Sequence, residues 1–184
     1  YGWSPLQAGL AFLLPTAVCT LGIRWAEHWL HRSTPRTVLM GGWAAGTLGL
    51  AYMAWALPRG GSYVWLVPGF VVLSLGQGAC WTAMWVVAGQ GVAAAQQGVA
   101  SGIAATAQQV GAAMGLALLV MVATAPLAGI TAPDALREAT ARGLQQAEWG
   151  AALIALLGWV VSAAMRRAPA IQAVPGAEQP ACSP

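Results

Sequence analysis

The sequence contains no lysine, and charged residues make up only 7% of its 184 positions. Soluble domains carry roughly 25% charged residues. Too few polar side chains remain to coat a globule in water, and the mean hydropathy of +0.65 agrees. The net charge of +3 comes from arginine alone. These arginines fall between long apolar runs instead of covering one face, which argues against a nucleic-acid partner. Cysteine is scarce and scattered. Cys19, Cys80 and Cys182 offer no disulfide framework and no Cys-x-x-Cys metal spacing.

What the chain does have is hydrophobic length. A spanning helix needs about 20 mostly apolar residues. Five segments meet this, at about residues 5–23, 37–57, 63–88, 99–127 and 149–165. The runs are continuous and lack the alternation of a membrane barrel strand. The expected fold is an all-α membrane protein with five transmembrane helices in one bundle over residues 1–167. Pro15 is expected to kink the first helix. Residues 131–148 hold most of the acids and read as a short amphipathic surface helix. The tail at 168–184 is rich in Pro, Ala and Gln and reads as disordered. The first residue is Tyr1, and the sequence reads as the C-terminal fragment of a longer protein.

Sidedness follows from arginine. One side collects Arg24, Arg32, Arg36, Arg166 and Arg167, and the other Arg59, Arg137 and Arg142. The positive-inside rule puts the first set in the cytoplasm. The N-terminal end is then outside, and the tail is cytoplasmic. Trp3, Trp25, Trp29, Trp55, Trp65 and Trp149 lie near expected span ends, where an amphipathic ring suits the headgroup level.

In lipid, helices associate through small residues that let backbones approach. Gly42 and Gly46 form such a stripe in the second span, and Gly98, Gly102, Gly111 and Gly115 form one in the fourth. No Asp or Glu falls inside any expected span, so a proton-binding carboxylate is expected elsewhere. The third span carries Gln77, Trp81 and Trp85 at four-residue steps, on one helical face. An amide beside two large aromatics suits a cavity for flat, apolar or cationic molecules. Gln108 in the fourth span is a further candidate. The competing reading has the glutamines bonding across helices and the tryptophans facing lipid.

His28 and His31 lie three apart, with Glu27 adjoining but off their shared face; solvated loop histidines fit this better than a metal site. No nucleophile–base or phosphate-loop pattern is present, so neither an enzyme nor a cofactor is expected.

Two motifs carry a resemblance. "GWSPLQAGLAFLLP" (Gly2 to Pro15) resembles the G-Y-S-P-L-Q-A-G-L-A-x-L-P stretch of multidrug exporters. "GVASGIAATAQQVGAAMGLAL" (Gly98 to Leu118) resembles their G-x-A-S-G-x-x-N-x-x-R/Q-Q-x-G-x-x-x-G run. Both belong to the fourteen-span drug:proton antiporter branch of the major facilitator superfamily, and the chain resembles its last five helices. The loop "EHWLHRSTPR" matches the family's inter-helix loop at Arg32, Pro35 and Arg36. It departs where Glu27 replaces a glycine and His31 an aspartate; Ala105 replaces an asparagine of the second motif.

The resemblance implies proton-driven export of a small hydrophobic compound from a bacterial plasma membrane by alternating access. It also implies that the first, third and fourth spans line the substrate cavity, and that the partners are the lipid bilayer and the remaining N-terminal helices of the same protein. The alternatives are a membrane scaffold that keeps the transporter fold, or a metabolite carrier of another facilitator branch.

Overall fold

The computed structural model describes residues 4–57, 63–129 and 132–164. The disordered tail expected at 168–184, Trp3, Arg59, Arg166 and Arg167 lie outside the described residues. Five α-helices follow one another: α1 (Pro5–Leu30), α2 (Pro35–Ala56), α3 (Val67–Gly89), α4 (Gln97–Thr124) and α5 (Pro133–Ala164). Short 3-10 turns at Tyr63–Trp65, Ala94–Gln96 and Ala125–Leu127 join or extend them.

The helix starts are written locally. The S-P-L-Q motif is a capping box: Gln7 N donates to Ser4 Oγ at 3.3 Å, and Ser4 N donates to Gln7 Oε1 at 3.0 Å, with Pro5 at the first helical position. Thr34 caps α2 with its side chain alone, accepting from Thr37 N at 3.3 Å ahead of Pro35.

Two boundaries differ from expectation. The first helix does not stop near Ile23 but runs on to Leu30, so most of "RWAEHWLHRSTPR" is helix and the loop is only His31 to Thr34. Arg24, Glu27 and His28 keep helical geometry because polar side chains on a helix end can reach water without breaking its backbone bonds. The acidic stretch before the last span is not a separate surface helix. Pro133 at the start and Asp134 in the first turn open a single 32-residue helix that continues through the apolar run.

At about 1.5 Å per residue α5 is some 48 Å long, well beyond a hydrocarbon core of about 30 Å. Its first turns therefore project past the other helices. By length and apolarity α1, α3, α4 with its flanking turns, and α5 can each cross a membrane. Glycines, tryptophans and Tyr52 lower the apolarity of α2, which nevertheless holds the middle of the bundle.

The helices neighbour one another in the order α1, α3, α2, α5, α4. Small residues set these contacts. A Cβ on Gly76 of α3 would lie 2.6 Å from Gly42 O and 2.8 Å from Gly46 N of α2. One on Gly49 would lie 2.7 Å from Leu73 N, and one on Gly22 of α1 2.6 Å from Leu75 O. Gly158 of α5 leaves room for the Trp43 ring, 2.8 Å from where its Cβ would sit. The buried apolar side chains are mostly alanines, among them Ala26, Ala79 and Ala83, packed with Val38 and Leu39.

Candidate functional site

The site lies between α1 and α3. Gly22 and Gly78 hold the two backbones in contact beside it. The two helices line an open cleft of about 490 Å³. On the α1 side, Phe12, Pro15, Thr16, Thr20 and Ile23 line it; the α3 side supplies Phe70, Ser74, Gln77 and Trp81.

Pro15 has no N–H to give the carbonyl of Ala11, four residues back. The Tyr63 hydroxyl donates to that carbonyl instead, at 3.0 Å, which closes the cleft's N-terminal end with a bond between α1 and the start of α3. α1 continues through Pro15 as one helix.

The polar groups of the cleft are neutral. Thr16 Oγ1 donates to Phe12 O at 2.8 Å and Thr20 Oγ1 to Thr16 O at 3.1 Å, so both hydroxyls have spent their hydrogen within α1 and offer only acceptor lone pairs outward. Gln77 is exposed to the cleft, and its side chain makes no hydrogen bond among the described residues. It therefore has both donor and acceptor capacity for a bound molecule. Trp81 is 47% exposed and supplies a flat wall. No Asp, Glu, Arg or His borders the cleft among the described residues.

The structure places the other sequence candidates elsewhere. Trp85 stands edge-on to Trp81, with ring centroids 6.2 Å apart, one turn past the cleft. Gln108 is on α4 and does not border this cleft. Gly42 sits at the α2–α3 contact, where a Cβ would lie 2.8 Å from Gly76 O; Gly46 lends that contact its backbone N, but it has open space where a side chain would go, as do Gly98, Gly102, Gly111 and Gly115. α4 buries none of its residues in this chain.

Within the loop motif, Arg32 is exposed and Pro35 opens α2. Arg36 reaches the far end of α5: its Nε donates to Ser162 O at 3.1 Å and its Nη2 to Ala163 O. A cation there satisfies carbonyls that a helix C-terminus leaves without partners and complements the helix dipole. No cluster of His, Cys, Asp or Glu able to hold a metal occurs among the described residues.

The threonine face of α1 and the glycines at 22, 69 and 78 went unmarked in the sequence. Their signal was present as Thr16 and Thr20 at a four-residue step and as small residues in "GQGAC", but it does not say which helix they meet. Glu148 was read as lying outside every span. It lies at the middle of α5, with Oε2 enclosed and without a hydrogen-bond partner among the described residues.

A family model described as Major Facilitator Superfamily matches residues 1–116, well over half of the chain. The chain belongs to the major facilitator superfamily. The match covers α1, α2, α3, the cleft and most of α4. No curated protein and no solved structure matches the chain significantly. Membership in the major facilitator superfamily makes this a multi-pass membrane protein of a transporter family, not of an enzyme family.

Proposed function

We propose that the protein exports small hydrophobic compounds by alternating access, driven by the proton gradient, as the α1 and α4 motifs suggest. The observation that carries this reading is the cleft, where Gln77 and Trp81 share a mostly apolar space with Phe12 and Thr16. Its volume falls within the roughly 300–1,000 Å³ typical of small-molecule sites. The neutral lining suits an uncharged or weakly polar aromatic cargo: stacking on Trp81 gives affinity and the Gln77 amide gives orientation. Alternating access requires a second half-bundle, so this reading includes further helices of the same protein beside α4, whose residues are left exposed here. The plasma membrane of a bacterium is the proposed location, with the loop at His31 in the cytoplasm.

The test is export of a fluorescent hydrophobic dye from cells expressing the full-length protein, with and without collapse of the proton gradient. Gradient-dependent export that falls in Gln77→Ala is the expected result. Export unaffected by both the uncoupler and the variant overturns the reading. A scaffold role would leave dye levels equal to those of cells without the protein.

A further inference from the structure

Glu148 occupies the sixteenth position of the 32 in α5. Its depth follows from contacts on either side. Gln145 Nε2 donates to Ala54 O of α2 at 3.0 Å, and Gly150 lies beside Leu119 of α4, whose Cδ2 is 3.5 Å from where a Cβ would sit. α2 ends at Ala56 and α4 at Thr124. Glu148 is therefore about one helical turn, or roughly 5 Å, inside the ends of the helices that flank it.

An ionised carboxylate has only acceptor oxygens and needs donors; a protonated one brings its own. Oε2 of Glu148 is enclosed and meets no donor among the described residues. Of the elements packed against α5, α4 and the turn at Ala125–Leu127 contain no ionisable side chain. In α2 the titratable groups are Arg36 and Tyr52. Arg36 is bonded at the opposite end of α5, and Tyr52 lies against Gly69 of α3, 3.0 Å from where a Cβ would sit. On α5 itself, Arg142 pairs with Glu138 at 3.3 Å, both exposed, while Asp134 and Arg137 lie further out. No described cation faces Glu148.

We infer that Glu148 is a proton-exchange site of the transporter, loading from the end of the bundle where α2 and α4 stop. The arginine pattern assigns that end to the exterior. The step moves one proton between external water and a carboxylate oxygen; no other bond forms or breaks, and nothing is oxidised or reduced. The inference rests on the transport reading above and gives it the carboxyl that the sequence had left to other parts of the protein.

The test is infrared spectroscopy of the full-length protein in liposomes during an external pH step, following the C=O stretch of protonated carboxyl groups. The expected result is a band that changes with the step in the wild type, is lost in Glu148→Gln, and remains at a shifted midpoint in Glu148→Asp. An unchanged band in Glu148→Gln overturns the inference. If Glu148→Gln does not fold, Glu148→Asp decides: a shifted midpoint supports the site and an unshifted one overturns it. The same liposomes separate the two readings. A Glu148 band without dye export sinks the export reading alone, and export without that band sinks this one alone.

Discussion

Trp81 and Trp55 are equally exposed, at 47% each, yet only Trp81 borders the cleft. That makes Trp55 a matched control. Trp81→Ala is expected to lower dye export several-fold, in line with roughly 1–3 kcal/mol for the loss of an aromatic wall, while Trp55→Ala leaves it near wild type. Equal losses, measured as export rate per transporter, would remove Trp81 from the site. Arg36 supports a second prediction. Arg36→Ala removes two charged hydrogen bonds to α5 and is expected to cost about 1–3 kcal/mol in a detergent unfolding titration. Arg36→Lys keeps the charge but not the planar fork, and falls between the two. Gln77 and Trp81 were legible in the sequence because four-residue spacing puts them on one face whatever that face meets. Arg36 was legible as basic but not as a cap, since its acceptors are 126 and 127 residues away.

Between helices, glycines that look alike in the sequence behave differently. Gly76→Ala would push a methyl group into the α2 backbone and is expected to lower stability by about 1–3 kcal/mol. Gly111→Ala meets nothing in this chain. It is expected to be neutral or to raise stability by up to about 1 kcal/mol through helix propensity. Unfolding midpoints of the two variants check this. Helix existence and most starts could be read from local chemistry, because Ser4, Thr34 and the prolines act within one turn. Two ends could not. Arg24 looked like the start of a loop and Glu148 like the end of one, because charge was taken to mark the edge of a span. Both side chains instead ride on helices whose backbone bonds continue past them.

For the whole molecule, orientation is open to direct measurement. In a cysteine-free background, His31→Cys and Ala141→Cys both place a thiol at an exposed position. A membrane-impermeant maleimide is expected to label Ala141→Cys in intact cells and His31→Cys only after permeabilisation. The reverse pattern would invert the proposed topology and move Glu148 to the cytoplasmic end. The five-helix architecture was legible from hydropathy. The order α1, α3, α2, α5, α4 was not, because it depends on which glycine meets which backbone, and that information is spread over pairs of distant residues.

The Arg36 contact also bears on biosynthesis. Arg36 lies 126 residues before its acceptor at Ser162. At about 5–20 residues per second, the ribosome delivers that acceptor on the order of ten seconds after the arginine. Until then the start of α2 holds a guanidinium with no α5 to receive it. A chain cut short before the end of α5 would lack these acceptors and leave the guanidinium to water or lipid headgroups. The clamp thus forms only once the last described helix is in place.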